Sequence, residues 1–293
     1  MGVSNGSASG SSAIFGYGLT TVNVSVTNLV SNIGVVSTDT SGIGTARQLL
    51  AAASYGTDKA IFGYGSSGGF LSLTNLVSNI GVVSANTTGV GTARGHLAAS
   101  KYSTDKAIFG YGYTTSSVSM TNLVSNTGVV STDTSGVGTA RYQLAASKYS
   151  TDKAIFGYGI TTSEVSMTNL VSNTGVVSTD TTGVGTSRRT LAAASYGTDK
   201  AIFGYGIAST GNVSLTNLVS NIGVVSANTT GVGTARYFLA AANYGLEKAI
   251  FGYGFTTVNV SMTNLVSNTG IVAADTTGVG TARRSLAASS YGS

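Results

Sequence analysis

One hexapeptide limits what this chain can fold into. Ala60-Ile61-Phe62-Gly63-Tyr64-Gly65 returns at 107–112, 154–159, 201–206 and 249–254, and first occurs at 13–18. Its phenylalanines, Phe15, Phe62, Phe109, Phe156, Phe203 and Phe251, follow one another at steps of 47 residues, 48 for the last. Six copies of a unit that long mark a solenoid, a propeller or an array, not one or two ordinary domains.

Such a Gly-rich chain, with only 9% charged residues, invites a disordered reading. Disorder needs low hydrophobicity and high net charge, however, and 42% of this chain is apolar with strong local periodicity. The net charge of +5 comes from Lys and Arg spread along the repeats, whereas nucleic-acid binders gather them in a patch or stripe. Cysteine is absent, so disulfides and Cys-based metal sites are excluded. No apolar run approaches the roughly 20 residues of a membrane-spanning helix. Residues 1–12 are polar and lack the basic start and apolar core of a secretory signal, so they are expected to be a flexible tail before a domain at 13–293.

The stretch Thr139–Ser178 crosses one junction between copies. Thr139–Ser147 is short, small and apolar, and predicts an inner strand; Lys148–Lys153 is a polar turn. Ala154–Gly159 alternates, putting Ala154, Phe156 and Tyr158 on one face and Ile155 with two Gly on the other. Paired Gly on one face lets a neighbouring sheet come close. Val165–Val171 predicts a third strand with a broken phase, Ser172–Gly175 a turn, and Val176–Thr179 a fourth strand. No helical period runs through ten residues. Four short strands per copy predict an all-β, six-bladed propeller with antiparallel blades.

The first copy lacks the Thr-Ala-Arg strand, and the last supplies one at 281–288. A C-terminal inner strand pairing with the N-terminal strands would therefore complete the sixth blade and close the ring. An open solenoid would need distinct capping repeats instead, and none is visible.

These residues resemble kelch-type propeller repeats. The closest likeness is to the kelch-like repeats of bacteriophage tail and structural proteins, in which an Arg-aromatic-x-Leu-Ala strand precedes a Phe-Gly-Gly strand. Arg141-Tyr142-Gln143-Leu144-Ala145 followed by Ile155-Phe156-Gly157-Tyr158-Gly159 carries the likeness, which spans all six copies. Tyr158 between the glycines and the lack of Trp depart from it. The resemblance implies the propeller fold and a place on a virion or outside a cell.

Two places differ between copies. One is the pair after Thr-Ala-Arg: Gln48-Leu49, Gly95-His96, Tyr142-Gln143, Arg189-Thr190, Tyr237-Phe238 and Arg284-Ser285. The other is the loop after Gly-Tyr-Gly. In an up-and-down blade both lie on one face, while the opposite face carries the uniform Thr-Asp-Lys turns. Variable loops on a rigid frame are where binding residues concentrate, so His96, Tyr142, Arg189, Tyr237, Phe238 and Arg284 are the expected ligand contacts.

Arg47, Arg94, Arg141, Arg188, Arg236 and Arg283 recur at the entrance of the inner strand. They make either a cationic ring at the channel mouth or structural pins bonding the Asx loop just before them; the second reading is adopted here. That loop opens with Asp39, Asn86, Asp133, Asp180, Asn228 or Asp275. One Asx per loop reads as a turn, since calcium takes six to eight oxygens. No metal or cofactor is expected. The Gly-Val-Gly runs lack a following helix to bind phosphate. His96 is the only His, and Ser and Thr have no base beside them, so no catalytic residues are assigned and no enzyme activity is expected. Asn-x-Ser/Thr sequons such as Asn23-Val24-Ser25, Asn86-Thr87-Thr88, Asn212-Val213-Ser214 and Asn228-Thr229-Thr230 are attributed to chance.

The expected function is a non-enzymatic binding or structural module, a monomeric ring meeting an unknown protein or glycan on a surface. The alternative is a lectin with sites repeated between blades, resting on the Tyr that recurs in every copy.

Overall fold

The computed structural model describes residues 10–292, and among them every regular element is a β-strand. There are six antiparallel sheets of three strands, with a two-stranded ribbon at Ile207–Ala208 and Gly211–Asn212. Sheets 1 to 5 each take their three strands in chain order, with the ribbon falling between the second and third strands of sheet 4. Sheet 3 is Ala145–Tyr149, Lys153–Gly157 and Thr168–Val171, with Phe156 opposite both Ala146 and Asn169. The first strands of the others are Ala51–Tyr55, Ala98–Tyr102, Ala192–Tyr196 and Ala240–Tyr244.

Sheet 6 is assembled from both ends of the chain. Ala287–Tyr291 pairs antiparallel with Ser12–Leu19, which pairs in turn with Asn23–Val30. The C-terminal strand thus completes the N-terminal sheet, as expected. One boundary moves. Ser11 bridges Gly245 and the middle strand opens at Ser12, so chain expected to be tail is paired here; residues 1–9 lie outside the described residues.

Only three strands form where four are predicted. The Val176–Thr179 segment is reduced to a single bridge, Val171 to Val177, with a second just beyond it, Thr168 to Thr181, and the other copies repeat this. The physical reason is local: the Ser178 hydroxyl accepts from the Leu170 N–H, and Asn169 donates to the Ser178 carbonyl. Side chains have taken over the ladder's role, so the backbone does not run as a strand. The first strand also starts late, at Ala145 and not Thr139, because Arg141 is drawn into the interior.

The middle strand departs from simple alternation at its tyrosine. Tyr17, Tyr64, Tyr111, Tyr158, Tyr205 and Tyr253 all have φ between 62° and 64°. In Ser12–Leu19 and Lys106–Tyr113 the pairing register shifts on either side of that Tyr, a bulge. The left-handed residue turns the tyrosine to the opposite side from the one expected. Tyr64 packs with Ile61 against Phe109 of the next sheet, while Ala60 and Phe62 pack with Tyr17 and Ile14 of the preceding one. The first Gly of the hexapeptide leaves room for this: a Cβ on Gly110 would stand 2.7 Å from Phe156 Cζ. Six such layers of buried apolar residues, each shared between two adjacent sheets, form the core.

Two cycles of backbone hydrogen bonds join the sheets. In one, Leu49 N–H donates to Ser285, His96 to Leu49, Gln143 to His96, Thr190 to Gln143, Phe238 to Thr190 and Ser285 to Phe238, at 2.8 to 3.0 Å. In the other, Gly56 donates to Asp105, Ser103 to Asp152, Ser150 to Asp199, Gly197 to Glu247, Gly245 to Ser11 and Gly292 to Asp58, at 2.6 to 2.8 Å. Each passes once through all six sheets and returns to its start. The first strands, which touch one another in the same order, line a shared cavity between the two cycles.

Candidate functional site

The six arginines come first, because they hold the frame on which the variable residues stand. All six are fully buried, so they form no ring at an opening. Arg141 is typical. Its Nε donates to the Tyr158 carbonyl at 2.9 Å, one terminal nitrogen to the Thr139 carbonyl at 3.2 Å, and the other to Asn169 Oδ1 at 2.7 Å. Its guanidinium lies over the Tyr111 ring of the preceding sheet, 4.4 Å from the centroid. A desolvated contact of this kind contributes on the order of 2 kcal/mol.

The carboxylate beside Arg141 is Asp180, at 3.8 Å, one copy further along the chain and not in the loop just before it as expected. The sheet brings this about, since Asn169 and Asp180 both follow from the third strand of the same unit. Burial alone would raise the Asp180 pKa, but hydrogen bonds from Thr139 and Asn169 and the charge of Arg141 bring it below the usual carboxylate value. The stacked tyrosines are kept neutral. Burial pushes Tyr205 up to about 12, against the pull of Arg236, and its hydroxyl donates to the Val232 carbonyl at 3.1 Å. That carbonyl belongs to a Gly-Val-Gly run, which serves here as an acceptor for tyrosine.

The two variable places of each copy adjoin, as expected. Gln48 bridges Ser66, Gly95 bridges Tyr113, Tyr142 bridges Ile160, Arg189 bridges Ile207, Tyr237 bridges Phe255 and Arg284 bridges Leu19. The second residue of each pair, Leu49, His96, Gln143, Thr190, Phe238 or Ser285, has φ between 54° and 59° and lines one small depression of about 90 Å³. The depression is floored by Leu50, Leu97, Leu144, Leu191, Leu239 and Leu286. These residues are the ones joined by the first hydrogen-bond cycle, so that cycle fixes the spacing of the variable side chains.

Aromatic side chains run in an unbroken line across this face. Phe70 meets Tyr113 (ring centroids 6.3 Å apart), Tyr113 meets Tyr142 (5.0 Å), and Tyr142 meets His96 (5.7 Å). His96, from sheet 2, then meets Phe238 of sheet 5 at 6.2 Å, so the line crosses the middle of the depression. It continues through Tyr237 (5.2 Å) to Phe255 (5.6 Å), over which the Arg284 guanidinium sits at 4.4 Å. Every member is partly exposed. Burial among these groups lowers the His96 pKa to about 4.

Five of the six expected contact residues, His96, Tyr142, Tyr237, Phe238 and Arg284, therefore belong to one array. Arg189 does not: its Nε lies 3.1 Å from Glu164 Oε1, and it reaches Gln143 Oε1 at 3.4 Å. Phe70, Tyr113 and Phe255 join the array without having been singled out. A sequence signal for them existed, for they are the aromatics of the variable loops. The hexapeptide tyrosines are fully buried and offer no platform to a ligand. Among the described residues no cluster of three or more His, Asp or Glu is placed to hold a metal, and no helix is long and apolar enough to cross a membrane. No protein-family model and no curated protein matches this chain.

Proposed function

We propose that the chain is a six-bladed, kelch-like β-propeller that works as a binding module, with the variable face as its recognition surface. Two features support the propeller: the chain ends share a sheet, and both hydrogen-bond cycles return to their start. The observation that carries the functional reading is the aromatic line from Phe70 to Phe255, capped by Arg284. Rigid aromatic side chains give large contact area at little entropic cost, and Tyr and Arg are enriched where binding energy concentrates. The target is a glycan or protein displayed on a surface, and the resemblance to phage repeats supports a module on a virion that meets its host.

A lectin with six equivalent sites is a second reading, but it needs an aromatic platform in each copy. The repeated tyrosines are enclosed and the exposed aromatics form one array, which favours one asymmetric site per chain. A glycan array, followed by calorimetry on any hit, tests both readings. One ligand per chain, lost in a Tyr142→Ala, Tyr237→Ala, Arg284→Ala variant, is expected. Six ligands per chain, or binding untouched by the triple variant, would overturn the single-site reading.

A further inference from the structure

The first strands also carry a side-chain set outside that face. Alternate residues of each strand point toward the shared cavity. The second is alanine in every copy, but the fourth is Ser54, Lys101, Lys148, Ser195, Asn243 or Ser290. The cavity has a volume of about 620 Å³ and reaches the face of the Thr-Asp-Lys turns, where Thr57, Asp58 and Lys59 stand at its rim. Toward the variable face it gives way to the six leucines that floor the depression.

Lys101 and Lys148 occupy the same register on two strands that touch, with Ser54 and Ser195 on the strands to either side. Lys101 Nζ donates to the Gly56 carbonyl at 3.0 Å. The Lys148 ammonium makes no hydrogen bond or ion pair among the described residues. The nearby turn carboxylates are engaged elsewhere in two cases, Asp58 by Lys59 at 3.1 Å and Asp105 by Lys106 at 3.2 Å. Two ammonium groups thus face one cavity with no carboxylate paired to either. Burial lowers the Lys101 pKa and the charge of Lys148 lowers it further, against the pull of Asp105 and Asp58; burial lowers Lys148 too, against the pull of Asp152. Like charges held side by side in a partly desolvated space are relieved by a shared counterion.

We propose that this cavity binds a small doubly charged oxyanion, phosphate or sulfate or an ester of either, seated between Lys101 and Lys148 with Ser54 and Ser195 flanking it. Lysine recognises phosphate as a point charge, and a phosphate monoester carries a charge of about −1.5 to −2 at pH 7, which matches two ammonium groups. The cavity falls within the roughly 300–1,000 Å³ of small-molecule sites, so a group larger than the bare ion fits. The walls are hydrogen-bonded strands, and the site is preformed.

Calorimetry on the full chain at constant ionic strength tests this, with inorganic phosphate, sulfate and phosphoserine as probes and chloride as the control. Saturable binding of one anion per chain is expected. Lys101→Ser with Lys148→Ser should weaken it at least tenfold; serine already stands at this register in sheets 1, 4 and 6, so the fold should tolerate it. Tighter binding of phosphoserine than of phosphate identifies an ester as the ligand, and the reverse identifies the free ion. No saturable binding, or equal binding by the double variant, overturns the proposal. NMR of the unsubstituted chain with its lysines isotopically methylated gives a second measurement. Phosphate should move the Lys101 and Lys148 signals ahead of the turn lysines, and equal movement of all would also overturn it.

Discussion

The contacts between sheets and the variable face are built from the same repeat by opposite rules. Between sheets, the same buried arginine lies over the same tyrosine six times, 4.3 to 4.4 Å from its centroid. On the face, the residue immediately after that arginine is Gln48, Gly95, Tyr142, Arg189, Tyr237 or Arg284, and the aromatics gather in one line. A step of one residue separates a position that geometry dictates from one that it leaves open. The arginine must satisfy three acceptors and a ring in a space without water, and no other side chain has the donors for it. Its neighbour only has to hold a backbone bridge, which any residue can do. Repetition therefore marks stability here, and asymmetry marks where a ligand would be told apart.

The largest effect that would break this contrast is loss of one arginine. Arg141→Met removes a charge whose partners, Asn169 Oδ1 and the Tyr158 and Thr139 carbonyls, stay buried. Destabilisation of about 3–5 kcal/mol is expected in chemical denaturation. Tyr142→Ala, one residue on, should change stability by well under half of that. Equal losses at the two positions would erase the distinction between frame and face.

His96 gives the contrast a pH dependence. Its pKa falls from 6.5 to about 4 through burial, so the unfolded chain binds the proton more readily. Stability should be fully present above about pH 6.5 and decline as pH falls toward 4, by up to about 3 kcal/mol at 1.36 kcal/mol per pKa unit. The carboxylates of Asp39, Asp133, Asp180 and Asp275 are held below 3.8, so their contribution is lost in a lower window. His96→Gln should flatten the upper window and leave the lower one. A slope unchanged by the substitution would mean that other groups titrate there.

Gly110→Ala comes next. The added Cβ would meet Phe156 Cζ at 2.7 Å, and that ring is packed on all sides. Overpacking of this kind costs about 1–3 kcal/mol. Gly69→Ala, in a variable loop with open space around it, should cost little of that and serves as the paired control.

Much of this frame was legible in the sequence because the unit is repeated. Period-2 patterning placed the middle strand, and the division of one copy between the two termini predicted that a C-terminal strand at 281–288 would pair with the N-terminal ones; the pairing forms a few residues later, between Ala287–Tyr291 and Ser12–Leu19. What was not legible depended on phase. Tyr158 reads as a neighbour of Phe156 on one face until its positive φ is known, and a Tyr between two glycines is the only hint of a bulge. The fourth strand read as regular because Val176 and Val177 favour β-structure, whereas the hydroxyl of Ser178 and the amide of Asn169 compete for the backbone. Pairing of Arg141 with the later Asp180 needed a register that no local pattern carries. The aromatic line was half visible: the variable pairs named Tyr142 and Tyr237, but contact between His96 and Phe238 across the depression depends on how sheets 2 and 5 are placed. The cavity lysines were missed for a different reason. Lys148 reads as the start of a polar turn, whereas the first strand runs on through it to Tyr149, two residues beyond an alanine that never changes.

The smallest expected effect tests whether the frame itself is uniform. Four copies place an aspartate beside the arginine, and sheets 1 and 4 place Asn86 and Asn228 there. In sheet 2, Asp133 accepts from both the Thr92 N–H, at 3.0 Å, and the Thr92 hydroxyl, at 2.7 Å, with Arg94 at 3.7 Å. In sheet 1, Asn86 Oδ1 accepts the Thr45 N–H, at 3.2 Å, and the Asn75 amide, at 3.1 Å, and its own amide donates to the Thr45 hydroxyl instead. The Arg47 terminal nitrogen aimed at Asn75 is also left without a partner, the one copy where that bond is missing. Asn86→Asp should restore the arrangement of the other four. The site is partly open to water, so a gain of at most about 1 kcal/mol is expected. It should be seen at neutral pH and vanish as the new carboxylate is protonated below about pH 4. Loss of stability at neutral pH would mean that sheet 1 has adapted to a neutral partner, and that the six arginine contacts are not equivalent after all.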